Sequence, residues 1–407
     1  MVIGGLGDGV IDSRRRWAIL GLLFLSITIN LLDRQVLSLV APILREQFQL
    51  SATQYSYIVF SFLLGLTLSQ APAGLFMDRK GPRLGMAVIA TWWSVANGAH
   101  ALARSVVSFS FFRFLLGVGE SGNYSAGVKV IARWFEPHQR ALAGGIFNTG
   151  SVIGALIAPP LVIWLATRYG WQTAFLAPSL LGLLWIGPWL AIYPRVETGG
   201  APETTPQPSF GALLGVREVW GLMLTRALCG PVNHFYWYWL PEYLRRERGF
   251  SLEQIGAWAG LPYLFGGLGN VLGGWFSSHL IGRGMAPLQG RRWAMGMGLA
   301  FCLASLGVPH MSNGYYALAL ICLASFGIAV LAATWIGAAT DVCPERVTAR
   351  VTGLAGMTEG VTNMALTLAT GWVVDRYSYL PVFLGAGLLP ALGVGAFVLL
   401  VRQRFCR

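Results

Sequence analysis

The chain has 407 residues, of which 55% are hydrophobic and only 11% are charged, and its mean hydropathy is +0.59. This composition excludes an ordinary soluble domain, whose surface needs more polar residues, and indicates a protein embedded in lipid. The net charge of +12 comes without a basic stripe, a zinc-ligand spacing or a base-stacking motif, which excludes a nucleic-acid-binding protein.

Twelve apolar stretches are long enough to cross a bilayer, which takes about 20 helical residues. They lie at 17–43, 54–77, 84–103, 106–128, 141–166, 172–193, 218–241, 255–278, 291–309, 313–340, 350–373 and 380–401. The stretch 195–215 between the two sets of six is rich in Pro, Gly and Thr, as flexible linkers are. We therefore predict an all-α membrane protein with an N-terminal six-helix bundle (1–194), a cytoplasmic linker (195–215) and a C-terminal six-helix bundle (216–407).

The distribution of basic residues predicts the orientation of these helices. Of the 29 Lys and Arg residues, 19 fall on the side of the chain termini, seven fall on the opposite side and three lie inside helices. Because cytoplasmic loops carry the excess of Lys and Arg, both termini are predicted to be cytoplasmic. A retained first helix and the lack of a secretory cysteine pattern favour a bacterial inner membrane.

The two halves of the chain resemble each other. The segment GLFMDRKGPR (74–83) after the second predicted helix corresponds in place and glycine pattern to GGWFSSHLIGRG (273–284) after the eighth. Such an internal repeat is typical of transporters in which two bundles rock about a central site. Alternating access is therefore the predicted mechanism.

The first of these segments carries a family signature. Gly74, Asp78, Arg79, Gly81 and Arg83 reproduce the pattern GxxxDRxGxR, by which the chain resembles the major facilitator superfamily. The resemblance implies the major facilitator fold and a gating loop in which Asp78 pairs with a neighbouring helix end in one conformation only. The alternative is a tight turn with solvated charges.

A second resemblance is narrower. The stretch from Arg113 to Leu165, together with LLDRQVLS at 31–38, resembles the anion:cation symporter family and most of all its hexuronate transporters. The resemblance implies proton-coupled import of a sugar acid, with a hexuronate as the first expectation and an aldonate or another organic anion as the alternative. It also implies substrate-anion binding at Arg34 and proton coupling at Asp33 and Glu120.

Charged residues inside bilayer-spanning helices are candidates for function, because each costs about 2.5–3.5 kcal/mol to insert. The six strongest cases are Asp33, Arg34, Arg113, Glu120, Arg226 and Glu359. Arg34 suits a carboxylate substrate, since a guanidinium offers two parallel donors and a permanent charge. Arg34 could instead neutralise Asp33, or pair with a carboxylate from another helix.

Proton coupling needs an acid whose surroundings change as the cavity opens and closes, which suits Asp33 and Glu120. Arg113 and Glu120 are seven residues apart, about 10 Å along nearly one helix face, so they can share a cavity wall without touching directly. Arg113 is expected to tune or neutralise Glu120. A structural network bridging helices is the alternative. For Glu359, three hypotheses remain open: a third protonatable site, a partner for a substrate hydroxyl, or a partner for Arg226.

Hydroxyl-rich substrates also need amides and hydroxyls on rigid helices. The candidates are Asn123, Asn148, Thr149, Ser151 and Asn363, with hydrogen bonding between helices as the alternative role. The sequence has no catalytic triad, metal-ligand cluster or GxxxxGK phosphate loop, which argues against an enzyme and an ATP-driven pump. We expect no cofactor besides protons, no metal, and no obligate protein partner; the expected partners are a small organic anion and the bilayer. A transport-defective sensor and a drug exporter are weaker alternatives.

Overall fold

The computed structural model describes residues 13–135, 137–194, 210–343 and 345–402, and these residues are almost entirely helical. In the first half the helices are α1 (Ser13–Gln47), α2 (Ala52–Ala99), α3 (Val106–Glu120), α4 (Asn123–Trp134), α5 (Pro137–Tyr169) and α6 (Trp171–Ile192). After a short α7 (Phe210–Leu214) come α8 (Arg217–Arg246), α9 (Leu252–Trp258), α10 (Leu261–Gly282), α11 (Pro287–Cys302), α12 (Gly314–Val342), α13 (Glu345–Arg376) and α14 (Leu380–Leu400). Most of the predicted linker, residues 195–209, lies outside the described residues.

Each of the twelve predicted spans coincides with helical structure. Helix α2 contains the second and third spans, α3 and α4 form the fourth, and α9 and α10 form the eighth. The ninth consists of α11 and the 3-10 helix Leu303–His310. Helices α1 to α6 pack mainly on one another, as do α8 to α14.

Six helical segments in the described residues are long and apolar enough to cross a membrane when each is judged alone. They are Arg14–Gln47, Ala143–Tyr169, Trp171–Ile192, Pro287–His310, Gly314–Val342 and Leu380–Leu400. Several of the other predicted spans contain charged residues, such as Arg113 and Glu120 in α3 and Arg226 in α8. A charge of this kind has to face the protein interior or a cavity.

Gly81 separates the second span from the third. Its backbone has φ 71° and ψ 161°, a conformation open essentially to glycine alone, and Pro82 follows directly. The next residue, Arg83, donates from Nε to the Tyr193 carbonyl at 3.0 Å and from Nη2 to the Leu190 carbonyl at 2.6 Å. Gly81 thus makes the turn, and Arg83 ties the start of the third span to the end of α6.

Helices α1 and α5 approach each other backbone to backbone. A Cβ atom placed on Gly150 would lie 2.6 Å from the Phe24 carbonyl oxygen, and one on Gly154 would lie 2.5 Å from that of Thr28. The Thr28 hydroxyl also contacts the Gly150 carbonyl at 3.0 Å. Because no side chain larger than hydrogen fits at these two glycines, they set the spacing of the two helices, as small residues often do in membranes.

The two halves are joined where α1 ends and α2 begins (residues 45–53), here called the clamped end. Arg45 of α1 donates from Nη1 to Glu242 Oε1 of α8 at 2.5 Å, and Arg246 Nε contacts the same oxygen at 2.6 Å. The side chains of Arg45 and Glu242 are 2% and 0% exposed, whereas that of Arg246 is 49% exposed. The clamp is therefore a buried ion pair with one exposed arginine added.

A helix cap also joins the halves at the clamped end. Asp375, in the last turn of α13, accepts from the Ala52 and Thr53 backbone N–H groups at 2.7 and 2.6 Å. These are two of the donors that the start of α2 cannot satisfy within its own helix. Tyr55 then donates to the Tyr238 carbonyl of α8 at 2.8 Å. The start of α2 is thus held by two helices of the other half.

Candidate functional site

A cavity of about 440 Å³ lies between the two halves. Asn148 and Ser151 of α5 line it from the first half, and Arg226 and Glu359 line it from the second. The lining is mixed, with apolar side chains around a few polar and charged groups, as in binding sites for small molecules.

Arg226 and Glu359 form an ion pair at this cavity. Arg226 Nε donates to Glu359 Oε2 at 2.5 Å, and the two side chains are 31% and 12% exposed. The guanidinium carbon lies 5.1 Å from the centre of the Trp335 ring, whose Nε1 donates to the Leu222 carbonyl at 3.0 Å. Of the three hypotheses for Glu359, the geometry favours the partner of Arg226.

Arg34 and Glu120 form the corresponding pair in the first half. Arg34 Nε donates to Glu120 Oε2 at 2.5 Å, with Arg34 21% exposed and Glu120 fully buried. The carboxylate partner of Arg34 is therefore Glu120 of α3, and not the adjacent Asp33. Arg34 does not border the 440 Å³ cavity, although Leu31, one turn earlier in α1, does.

Arg113 is buried beside this pair without bonding to Glu120. Its Nη2 contacts the Arg34 carbonyl oxygen at 3.4 Å, and its Nε and Nη1 are buried with no hydrogen-bond partner in the described residues. The Phe62 ring lies 5.5 Å from the Arg34 guanidinium carbon and 5.6 Å from that of Arg113. The positive charge of Arg113 thus reaches the pair through space, while Arg34 provides the direct contact.

Asp33 lies in a closed polar pocket. Its Oδ1 accepts from Asn97 Nδ2 at 2.7 Å, and Asn97 Nδ2 is also 3.2 Å from the Phe175 carbonyl and from Ser179 Oγ. Asp33 is 0% exposed, and among the described residues its Oδ2 has no partner. An ionised Asp33 would leave that oxygen buried and unpaired, which is costly.

The five predicted substrate-binding amides and hydroxyls do not lie together. Asn148 and Ser151 line the central cavity. Asn123 is buried and its Oδ1 accepts from Ser26 at 2.7 Å, so it ties α4 to α1. Asn363 contacts His234 Nε2 at 3.4 Å and lines a separate cavity of about 150 Å³. Thr149 Oγ1 donates to the Gly145 carbonyl of its own helix at 2.9 Å. Of the five, the structure therefore brings only Asn148 and Ser151 to the central cavity.

The gating loop is described in part. Arg79 is exposed, and Gly81 and Arg83 have the turn-forming and helix-tying contacts given above. The surroundings of Gly74 and the side chain of Asp78 lie outside the described residues, so the latch stays a prediction. In the corresponding part of the second half, Arg291 pairs with Asp341 at 2.8 Å and contacts Ser277 Oγ at 3.1 Å.

Several residues at the central cavity were not predicted from the sequence. Asn233, Asn270, Tyr263 and Trp335 all line it, and Tyr263 donates to Gln35 Oε1 of α1 at 2.8 Å. Asn233 lies seven residues after Arg226, a spacing that places both on one helix face and could have suggested it. Within the described ranges, no group of three or more His, Cys, Asp or Glu residues could hold a metal ion.

Two packed sets of helices, joined at one end and enclosing a cavity lined by charged and polar groups, are the architecture of a membrane transporter. The chain matches the family model of the Major Facilitator Superfamily at residues 23–365 and 233–405, and it belongs to that superfamily. It is thus a multi-pass membrane transporter and not an enzyme, and the helices of the described residues account for all twelve predicted spans.

Relatives and solved structures agree with this assignment. The chain is 31% identical over 404 residues to a hexuronate transporter of Escherichia coli strain K12, covering 93% of this chain and 92% of that protein. It is 30% identical to a probable L-galactonate transporter of the same strain, covering 94% and 88%. Its fold matches a bacterial homologue of the human lysosomal transporter Spinster, in an inward-facing and unoccupied conformation, with a TM-score of 0.76, 19% identity and coverage of 96% and 95%. The resemblance to hexuronate transporters is confirmed.

Proposed function

We propose that this protein imports a sugar acid in symport with protons across a bacterial inner membrane, and that the substrate is a hexuronate such as glucuronate or galacturonate. The hexuronate and galactonate transporters among its relatives support the substrate class. The observation that carries the mechanism is the Arg34–Glu120 pair, in which a partly exposed arginine is held by a fully buried acid.

The pair suits coupled binding because one guanidinium serves two carboxylates. Glu120 occupies Arg34 Nε, and the terminal nitrogens of Arg34 have no protein partner in the described residues. A substrate carboxylate can therefore approach as a bidentate ligand. Protonation of Glu120 removes its competing charge and leaves Arg34 free to neutralise the substrate, so proton and anion bind together. Asp33, with one unpaired buried oxygen, provides a second protonation site.

Alternating access then requires the clamped end to open. The excess of Lys and Arg on the side of the termini supports a cytoplasmic position for both termini, which puts the clamped end on the outer side of the membrane. With the Arg45–Glu242 pair formed, the outer side is closed. Opening separates Arg45 from Glu242 and frees the start of α2 from Asp375.

An aldonate is the second candidate substrate, since a relative with 30% identity is named as a probable L-galactonate transporter. An aldonate has the same single carboxylate but an open chain in place of a ring. The arginine site would serve both, and the polar groups of the cavity wall would have to distinguish them.

The test is uptake of labelled glucuronate, galacturonate and galactonate into proteoliposomes under an inward proton gradient, with and without a protonophore. We expect hexuronate accumulation that the protonophore abolishes, and no binding or uptake by Arg34→Ala. Arg168→Ala, which changes an exposed arginine at the end of α5, is the control and should transport normally. Galactonate uptake without hexuronate uptake would show that the substrate is an aldonate and not a hexuronate. Absence of anion transport, or accumulation indifferent to the gradient, would refute the proposal.

A further inference from the structure

The Arg226–Glu359 pair repeats in the second half the construction of the Arg34–Glu120 pair in the first. In both, the arginine lies on the first membrane-spanning helix of its half and donates from Nε to one glutamate oxygen at 2.5 Å. In both, the arginine is the more exposed partner, at 21% for Arg34 and 31% for Arg226. Neither arginine has a protein partner for its terminal nitrogens in the described residues.

An aromatic ring supports each guanidinium. The guanidinium carbon of Arg34 lies 5.5 Å from the centre of the Phe62 ring, and that of Arg226 lies 5.1 Å from the Trp335 ring. A flat ring beneath a guanidinium fixes its plane and leaves the edge with the terminal nitrogens available to a ligand. Each half therefore has one arginine whose terminal nitrogens are available to an anion.

The packing of the cavity wall leaves room for the Arg226–Glu359 pair. Gly230 lies one turn after Arg226 in α8, and a Cβ atom at that position would collide with the Glu359 carboxylate. The missing side chain thus gives Glu359 the room to reach Arg226 from α13. Asn233 and Asn270 line the same cavity and offer further donors and acceptors there. His234 and Cys229 of α8 are titratable groups that interact electrostatically with both Arg226 and Glu359.

We propose that Arg226 and Glu359 form a second carboxylate site, which takes up a proton on Glu359 when it binds the far carboxylate of a six-carbon sugar diacid. This proposal rests on the proposed function, in which the near carboxylate binds Arg34. With Glu359 ionised, the Arg226 charge is already neutralised, and a second carboxylate would be uncompensated in a medium of low dielectric constant. With Glu359 protonated, Arg226 balances the incoming charge.

The charge balance separates two kinds of substrate. A hexuronate has an uncharged far end, whose hydroxyls can hydrogen-bond to the ionised pair and to Asn233 and Asn270 without a change in protonation. A sugar diacid requires Glu359 to be protonated. Import of a diacid should therefore carry one more proton than import of a hexuronate.

The experiment compares labelled galactarate with labelled galacturonate in proteoliposomes containing the full chain. The proton count per substrate is obtained from the pH gradient that just balances a known substrate gradient. For wild type we expect both to be transported, with one additional proton for galactarate. Arg226→Gln should raise the half-saturating galactarate concentration by about 10-fold or more, the loss of roughly one charge-assisted contact. The half-saturating galacturonate concentration should change by less than about 3-fold, since galacturonate keeps its contact to Arg34.

Glu359→Gln gives a second, independent measurement. It should leave galactarate transported but reduce its proton count by one, to that of galacturonate. Arg291→Gln, which breaks the Arg291–Asp341 pair of the same half outside the cavity, is the matched control and should change neither substrate selectively.

Three outcomes would overturn the second site: galacturonate uptake without galactarate uptake or competition, equal impairment of both substrates in Arg226→Gln, or an unchanged proton count in Glu359→Gln. The first of these would leave the proposed function standing. The opposite result, Arg226-dependent galactarate uptake without any hexuronate uptake, would support the second site and refute the hexuronate assignment.

Discussion

The clamped end allows one ion pair to be tested against another on the same carboxylate. Glu242 Oε1 is 2.5 Å from Arg45 and 2.6 Å from Arg246, but Arg45 is buried and Arg246 is half exposed. We predict that Arg45→Gln shifts the protein toward the form open at the clamped end, whereas Arg246→Gln changes little. The two variants remove the same charge at nearly the same distance and differ in burial.

The magnitudes follow from solvation. Removing one partner of a buried pair costs about 3–5 kcal/mol because the other charge stays buried, whereas an exposed pair contributes only about 0.2–1 kcal/mol. In Arg45→Gln the contact from Arg246 to Glu242 remains, which puts the expected cost at the lower end of that range. Arg45 also donates to the Leu50 carbonyl at 3.0 Å, and Glu242 Oε2 already lacks a partner in the described residues. With about 1.4 kcal/mol per factor of ten, a cost of about 3 kcal/mol changes the ratio of closed to open forms roughly 100-fold. For Arg246→Gln the ratio of closed to open forms is expected to change by less than about 5-fold.

The assay is the distance distribution between spin labels at Gln47 and Glu247, two exposed positions at the ends of α1 and α8. The labels are introduced as cysteines after the five native cysteines have been replaced. A longer-distance population should appear in Arg45→Gln and remain minor in Arg246→Gln. Equal populations in the two variants, or no widening in Arg45→Gln, would show that burial does not control the clamp.

Three further predictions concern coupling, the helix cap and the turn. Glu120→Gln should retain substrate exchange across the membrane but lose proton-driven accumulation, and unaltered accumulation would remove Glu120 from the coupling mechanism. Burial acts to raise the pKa of the Asp375 carboxyl, but hydrogen bonds from the start of α2 outweigh it and hold that pKa below its ordinary value. The Asp375 carboxylate therefore stabilises the fold fully above the ordinary pKa of an aspartate. This stabilisation is lost as the pH falls through the lowered pKa of Asp375. Asp375→Asn should reduce stability by about 1 kcal/mol at pH 7, and melting curves of variant and wild type should converge in acid; a constant difference across pH would contradict this. Gly81→Ala should destabilise the protein by about 1–3 kcal/mol because alanine is strained at this φ and ψ, and an unchanged melting temperature in detergent would refute it.

The helices could be predicted because the signal is carried within each segment. A run of about 20 apolar residues indicates a span whatever it packs against, and all twelve runs are helical. The joint between α3 and α4 and the break between α9 and α10 were not predicted, since neither interrupts the apolar run. Gly81 was found through its signature, but its backbone conformation shows why that position requires glycine.

The site could be predicted only one helix at a time. Sequence indicates that Arg34, Glu120, Arg226 and Glu359 are costly inside a bilayer, and all four form ion pairs in the structure. The partner of each depends on how neighbouring helices are rotated about their axes, which no local pattern records. For Arg113 and Glu120 the seven-residue spacing predicted one helix face without direct contact, and no hydrogen bond joins the two in the described residues.

The contact between α1 and α5 fixes a distance that the substrate must match. Arg34 lies on α1, six residues after Thr28, and Asn148 and Ser151 lie on α5 beside Gly150. Because two glycines bring these backbones together without intervening side chains, the backbones themselves set the distance between the two helices. The separation between Arg34 and the polar wall of the cavity then determines how long a ligand must be to contact both. Substitutions in the cavity wall can change which groups are recognised, whereas a larger residue at Gly150 or Gly154 would push α1 and α5 apart and lengthen this separation.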